Sequence, residues 1–263
     1  MPRAVATILF IGDVVGSLGR HTLLGLLPAL RERHEPTFVV VNGENAAGGL
    51  GITPKIADEL FASGVDVITL GNHAYHRRDI YGYLDEHESI VRPYNYLRSQ
   101  PGHGLCVVER GGLRLGVVNL SGNLFLRAGR PAFTDADAAL GDLAGRAEHV
   151  LVDFHAEATS EKVALGWYLD GRVSAVVGTH THVPTADARV LPGGTAYITD
   201  VGMTGPRGGV IGVRKEQSIR SFVTHMNERY ETSEDDPWLM GVIVRCSEPM
   251  RADSIEQILL PAR

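Results

Sequence analysis

Apolar residues in this chain fall in short continuous runs, and most runs stop at a glycine followed by polar groups. Ala4–Ile11 ends at Gly12-Asp13-Val14-Val15-Gly16, and Thr37–Val41 ends at Asn42-Gly43-Glu44-Asn45-Ala46-Ala47-Gly48-Gly49. Val65–Leu70 ends at Gly71-Asn72-His73-Ala74-Tyr75-His76. Runs that are continuous rather than alternating suit strands buried on both faces, as in a sheet covered by helices. Between them, Leu18–Arg33 sets Leu23, Leu24, Leu26, Leu27 and Leu30 at helical spacing. Thr53-Pro54 opens a helix that runs to Ser63, with Thr as N-cap and Pro in the first position. A further helix is expected over Arg77–His87. This strand-helix alternation predicts parallel strands with right-handed crossovers.

The middle of the chain breaks the pattern. Gly104–Glu109 and Leu113–Leu120 flank Arg110-Gly111-Gly112, a hairpin signal. Asn119–Thr134 reads as a long loop, and Ala136–Ala147 as a helix. Val150–Phe154 is a strand ending at His155, followed by a helix over Thr159–Leu169 with Thr159 or Ser160 as its cap. Val173–Val177 leads into Gly178-Thr179-His180-Thr181-His182-Val183-Pro184, with Gly178 expected where the chain leaves its strand. The last quarter reads as antiparallel. Arg189–Leu191 and Ala196–Thr199 flank Pro192-Gly193-Gly194, while Leu239–Cys246 and Ile255–Leu260 are strand candidates. Ile219–Tyr230 carries mixed signals, and the acidic stretch Glu231–Asp236 reads as a surface turn. No repeat, linker or low-complexity tract interrupts residues 1–263, so one domain is the economical reading.

Composition adds exclusions. With 44% apolar and 21% charged residues the chain is an ordinary globular sequence. Its net charge of −6 argues against non-specific nucleic-acid binding, which wants a basic face. A nucleotide substrate is still allowed, because a local metal cluster overturns the global sign. The two cysteines, Cys106 and Cys246, sit in apolar runs and form no disulfide or metal pattern. No apolar run reaches membrane-spanning length, and Met1-Pro2-Arg3-Ala4 leads straight into a strand-like segment without a signal peptide. A cytoplasmic location without membrane partners is expected.

The chemistry stands at the strand ends: Asp13, Glu44 with Asn45, Asn72 with His73, His155, and His180 with His182. Alone, each has a plain structural explanation as a helix cap, a turn former or a solvated histidine. Together they repeat one residue class at strand after strand, which capping does not explain. In open α/β sheets binding sites lie beyond the carboxyl ends of the strands. Carboxylate, amide and imidazole ligands favour borderline divalent metals. The donors outnumber the roughly four that one tetrahedral zinc takes. They suit a pair of ions about 3.5–4 Å apart sharing a bridging carboxylate. Competing motifs fail: there is no Gly-x-Gly-x-x-Gly, no Gly-Lys-Ser/Thr and no Gly-x-Ser-x-Gly.

These residues resemble the calcineurin-like metallophosphoesterases. The closer likeness is to their YmdB-like branch, a bacterial group of metal-dependent phosphodiesterases. It is carried by Gly12-Asp13, Gly71-Asn72-His73, Gly178-Thr179-His180-Thr181-His182, and the segments Asn42–Gly49, Asp153–Lys162 and Thr199–Pro206. The resemblance implies a four-layer α/β/β/α sandwich with a dimetal site at the sheet edge. Asp13, Glu44, Asn45 and His182 would hold the first metal, Glu44 would bridge, and Asn72, His155 and His180 would complete the second. Iron or manganese is expected ahead of zinc. His73 would be the general acid or a phosphate-stabilising histidine. The activity implied is hydrolysis of 2′,3′- or 3′,5′-cyclic nucleotides, or related phosphodiesters, by a metal-activated hydroxide. Weaker expectations place Glu157 and Asp200 behind the imidazoles and Arg127, Arg130 and Arg207 near a phosphate.

Three positions depart from the wider superfamily. Val15 stands where Asp-x-His is usual, with Asn45 expected to fill the gap. Glu44 stands where Asp is usual. Ala74-Tyr75-His76 supplies no carboxylate after His73, so what orients His73 is open, His76 being a substitute or a bystander. Two other functions fit the same residues: a phosphomonoesterase of 5′-nucleotidase type, and a non-catalytic regulator whose metals shape a nucleotide- or RNA-binding surface. Homo-oligomerisation is compatible with all three.

Overall fold

Along the first strand, β1 (Ala6–Ile11), alternate residues enter different apolar layers. Leu9 and Ile11 pack against helices, while Ile8 and Phe10 pack against a second sheet. That period of two is the pleat of a strand covered on both faces. The computed structural model describes residues 5–262, so Ala4 of the expected first strand and the Met1–Ala4 segment lie outside the described residues.

The first sheet has eight strands. β1 pairs in parallel with β3 (Phe38–Asn42), β3 with β4 (Val67–Thr69), and β4 with β5 (Ile90–Val91). On its other side β1 pairs antiparallel with β13 (Pro237–Cys246), which also pairs with β14 (Ser254–Pro261) and β12 (Met203–Pro206). β12 runs parallel to the two-residue strand β2 (Asp13–Val14) at the sheet margin. The second sheet has the order β10 (Arg189–Val190), β11 (Ala196–Ile198), β9 (Ala175–Thr179), β8 (His149–His155), β7 (Leu113–Ser121), β6 (Leu105–Arg110). β7, β8, β9 and β11 are parallel, and β6–β7 and β10–β11 are the hairpins expected from their glycine pairs.

Helices α1 (Gly16–His34), α2 (Pro54–Ala62) and α3 (Ile80–Glu86) cover the outer face of the first sheet through Leu23, Leu27, Leu60 and Leu84. Helices α4 (Ala132–Leu143) and α5 (Thr159–Leu169) cover the second through Ala136, Leu143, Leu165 and Leu169. The inner faces meet through Phe10, Phe38 and Val40 from one sheet and Val117, Leu151 and Val177 from the other. The layering is α/β/β/α, as expected. Burying each such aliphatic or aromatic side chain contributes about 1.5–3 kcal/mol, so the core is spread over three interfaces rather than one.

Thr53 caps α2 as expected, its hydroxyl accepting from the Ile56 amide at 3.4 Å. Thr53→Ala should cost about 1 kcal/mol, read from the urea midpoint with an unchanged slope.

Several boundaries differ from the sequence reading. α4 spans Ala132–Leu143 rather than Ala136–Ala147, shortening the expected loop. Asn123 Oδ1 accepts from the Ala132 amide, so a distant side chain starts the helix early, and Ala144 turns extended (φ −56°, ψ 124°) to end it. α3 begins at Ile80, not Arg77, because the Arg77 guanidinium donates to Ala47 and Leu50 carbonyls and pins this stretch in turns. α5 starts as expected but is capped at Ala158, whose carbonyl accepts from Glu161 and Lys162 amides, so Thr159 and Ser160 lie inside the helix. The last quarter is mixed, since β11 and β12 each pair in parallel with an earlier strand. Gly178 is not an exit, because β9 runs on to Thr179. Glycine is required there because a Cβ would sit 1.7 Å from the Thr199 carbonyl oxygen of the neighbouring segment. The Glu231–Asp236 turn is anchored, with Ser233 buried.

Candidate metal centre

The parallel strands β1, β3, β4, β8 and β9 all deliver their carboxyl ends to one rim, where the two sheets are tied together. Asn42 Nδ2, at the end of β3, donates to Asp153 Oδ2 on β8 at 3.0 Å. Just beyond these ends the sequence places its donors. Glu44 is buried, with Oε2 accepting from the His73 amide at 3.1 Å and Oε1 3.0 Å from His155 Nε2. His155 Nε2 also lies 2.9 Å from Asn72 Oδ1 and 3.0 Å from His180 Nδ1. Asp13 is fully buried, its Oδ2 accepting from the His180 amide at 3.2 Å and its Oδ1 3.9 Å from His182 Nε2. Asn45 Nδ2 donates to the Gly49 carbonyl, leaving Oδ1 buried and unpaired.

The hydrogen bonds behind the imidazoles set which nitrogen of each carries its proton. The Thr179 hydroxyl gives its only hydrogen to Asp153 Oδ1 at 2.7 Å, so it accepts from His155 Nδ1 at 2.9 Å and leaves the Nε2 lone pair facing the cluster. His182 Nδ1 donates to the Ile211 carbonyl at 2.8 Å, which turns its Nε2 toward Asp13. Glu157 Oε2 stands 3.0 Å from His180 Nε2 and leaves the Nδ1 lone pair pointing at His155. With His155 and His180 in these neutral tautomers, lone pairs from Glu44, Asn72, His155 and His180 face one another.

Donors about 2.1 Å from a common ion and at right angles to one another stand about 3 Å apart, the distance of Glu44, Asn72 and His180 donor atoms from His155 Nε2. Glu44, His155 and His180 offer ligand atoms all within 4.8 Å of one another. Asp13 Oδ1, Glu44 Oε1, Asn45 Oδ1 and His73 Nδ1 are buried without hydrogen-bond partners, which such groups avoid unless a ligand meets them. The local field favours a proton on His155, one that a bound cation would displace. Burial would depress the His155 pKa, but Glu44, Asp13 and Asp153 push it up to about 9. Burial and the neighbouring His155 charge push His180 down to about 3. Burial raises Asp13, and although burial works against it, His155 and His73 hold the Glu44 carboxyl well below the carboxylate range. The donor set fits a divalent cation.

His180 and His182 both occupy the left-handed region, φ 93° and 64°. Such strain persists only where the surroundings impose it. Asp200 supplies that constraint. Its Oδ2 accepts from the Thr181 amide at 3.1 Å, the Thr181 hydroxyl at 2.6 Å and Lys162 Nζ at 2.8 Å. Asp200 thus grips the backbone between the two histidines and makes no direct hydrogen bond to either imidazole. Glu157 does contact His180 as expected. Gly71 is fixed by crowding, since a Cβ there would lie 2.4 Å from His155 Nε2 and 2.3 Å from Glu44 Oε2. Gly71→Ala should displace these donors and cost about 10²-fold in kcat/KM, the penalty of a 1 Å misplacement, with the fold retained by circular dichroism.

His73 lines a cavity of about 310 Å³ together with Glu44, Asn45, His180 and His182. Its Nδ1 is 3.4 Å from Glu44 Oε1, so Glu44 is the nearest carboxylate to this ring, and its amide is also held by Glu44. His76 is exposed and meets His73 edge-on at 6.0 Å. The three arginines lie away from this cavity. Arg127 is exposed on the loop before α4, Arg130 pairs with Asp135 at 2.7 Å, and Arg207 stacks on Trp238 at 4.2 Å beside a neighbouring hollow. Their loops looked suited to phosphate, but each guanidinium is turned to surface, carboxylate or aromatic partners. Thr179, Asp153 and Lys162 stand inside the segments that carry the family likeness, but the sequence assigns them no role of their own. Their signal was weak, because each sits inside an apolar strand or an ordinary helix.

A family described as YmdB-like protein matches residues 9–258 of the chain. A 2′,3′-cyclic-nucleotide 2′-phosphodiesterase of Bacillus subtilis is 48% identical over 254 residues, 96% of each chain. The crystal structure of a novel phosphatase from Mycoplasma pneumoniae superposes with TM-score 0.92 at 35% identity, covering 98% of this chain and 94% of that one. A hypothetical protein from Thermus thermophilus superposes with TM-score 0.91 at 40% identity, covering 98% and 100%. With the donor cluster at the rim of a two-sheet sandwich and these full-length likenesses, the chain belongs to the YmdB-like family.

Proposed function

We propose that this protein is a phosphodiesterase of cyclic nucleotides, 2′,3′-cyclic ones first, dependent on two divalent ions, iron or manganese ahead of zinc. The observation that carries the reading is the clustering of donor atoms from Glu44, Asn72 and His180 about 3 Å from His155 Nε2, a set of ligand types suited to a cation. Asp13, Asn45 and His182 would hold one ion, Asn72, His155 and His180 the other, with Glu44 shared. When bound, the ions supply charge neutralisation for the phosphodiester oxygens and a nucleophile at neutral pH. The chain's own part is positional. Thr179 and Ile211 hold the tautomers of His155 and His182, and Asp200 holds the turn between the paired histidines. His73, in the cavity and outside the ligand set, would deliver a proton to the departing alkoxide. Water then adds across the P–O2′ bond, giving the 3′-phosphate and a free 2′-hydroxyl.

The name of the Bacillus subtilis relative supports this substrate class. The name of the Mycoplasma pneumoniae structure favours a second reading, phosphomonoester hydrolysis. The test is turnover of adenosine 2′,3′-cyclic phosphate, bis-p-nitrophenyl phosphate and p-nitrophenyl phosphate by chelator-stripped protein reloaded with iron, manganese or zinc. We expect the two diesters to be cleaved and adenosine 3′-phosphate to accumulate, with activity lost on stripping. Preferential cleavage of the monoester establishes the second reading. Absence of hydrolysis with every metal leaves a regulatory protein.

A further inference from the structure

The cavity that holds His73 has two unlike sides. One carries the donors; the other is closed by Val15, Val210, Ile211, Val213, Phe222 and Tyr230. Among the described residues, no lysine or arginine lines it. Phe222 and Ser218 stand four apart on α6 (Lys215–Thr224) and so share the face turned to the cavity. Tyr230 comes from the following segment. Phe222 is 76% exposed and Tyr230 50% exposed, an unusual state for two large rings bordering one cavity. The apolar wall is also fixed relative to the donors, because the Ile211 carbonyl that belongs to it accepts the His182 Nδ1 hydrogen.

We propose that Phe222 and Tyr230 form the base-stacking wall of a nucleoside slot, so that the enzyme takes mononucleotide substrates with little preference among bases. This rests on the phosphodiesterase reading and names its specificity. A phosphodiester held at the donor cluster must place the rest of its body in the cavity, and what meets it there is apolar and aromatic. Every base has a π-face, so aromatic stacking supplies affinity without choosing a sequence. Base edges find few partners: Ser218 is buried, and Thr232 offers one hydroxyl. A second phosphate, as at the 3′ end of an RNA chain, finds no cation on the lining. The slot therefore favours a single nucleoside over an oligonucleotide end.

The experiment compares the metal-loaded protein on the four nucleoside 2′,3′-cyclic phosphates, on abasic ribose 2′,3′-cyclic phosphate and on a short RNA ending in a 2′,3′-cyclic phosphate. We expect the four nucleotides to be processed similarly and both other compounds less efficiently. In Phe222→Ala or Tyr230→Ala the preference for nucleotide over abasic compound should fall about ten-fold, chiefly through KM, and Phe222→Trp should restore it. An unchanged preference in both alanine variants overturns the slot, as does a change in sedimentation showing that Phe222 belongs to an interface between copies. RNA ends cleaved as well as mononucleotides overturn the mononucleotide assignment. If wild type cleaves no diester at all, the phosphodiesterase reading fails, and the slot is judged by equilibrium dialysis of adenosine alone. Binding by wild type that Phe222→Ala loses sustains the slot, and no binding removes it.

Discussion

Replacing His73 by alanine is expected to lower kcat on cyclic nucleotides by about 10²–10⁴-fold, the range of a positioned general acid, while the metal content stays at the wild-type level. His73 shares Glu44 with the cluster but sits 3.4 Å from Oε1, with its ring on the cavity. The two roles open to it separate by leaving group. A 2′-alkoxide is a poor leaving group and needs a proton as it departs, whereas p-nitrophenolate leaves without one. If His73 is the acid, the loss on adenosine 2′,3′-cyclic phosphate exceeds the loss on bis-p-nitrophenyl phosphate by a wide margin. If it steadies charge on the phosphate oxygens instead, both substrates suffer alike. Elemental analysis decides a third case: a variant that has lost metal shows His73 to be a ligand.

The sequence made the rim legible because strand ends are a local signal. An apolar run followed by glycine and a metal-type donor can be read in a dozen residues, and parallel topology then brings such sites together. Asp13, Glu44, Asn72, His180 and His182 follow that pattern, His155 stands directly after its apolar run without a glycine, and the structure gathers them at one rim. The residues behind them were not legible. Thr179 passes a proton constraint from Asp153 to His155 across two strands, a relation set by register rather than sequence spacing. The start of α4 escaped for the same reason, since its cap comes from Asn123, outside the helix. The arginines failed in the other direction: a loop arginine is a phosphate ligand only if its guanidinium is free to turn, and Trp238 and Asp135 occupy Arg207 and Arg130. Phe222 and Tyr230 lay in the Ile219–Tyr230 stretch of mixed pattern. That stretch joins the second half of α6 to the irregular segment after Thr224, so no single period runs through it.

The second large effect concerns Lys162. Its ammonium is 1% exposed and faces Asp200 at 2.8 Å, while Asp200 itself is fully buried. Lys162→Met keeps the length of the stem but leaves a buried carboxylate without its cation, and breaking one side of such a pair costs about 3–5 kcal/mol. The loss should be measured by urea unfolding with chelator present, so that weakened metal binding is not counted as weakened folding. Replacing both residues, Lys162→Met with Asp200→Leu, removes the uncompensated charge and should recover part of that stability. It should not recover metal affinity. Asp200 also accepts from the Thr181 amide and hydroxyl, and Thr181 sits between two histidines held at positive φ. Without that grip the turn relaxes toward ordinary backbone angles, and the imidazoles swing from the donor positions opposite Asp13 and His155. Partial recovery of stability in the double variant, with metal affinity still reduced, would separate the pair's two roles. Parallel recovery of both would reduce Lys162 and Asp200 to a packing contact under the site.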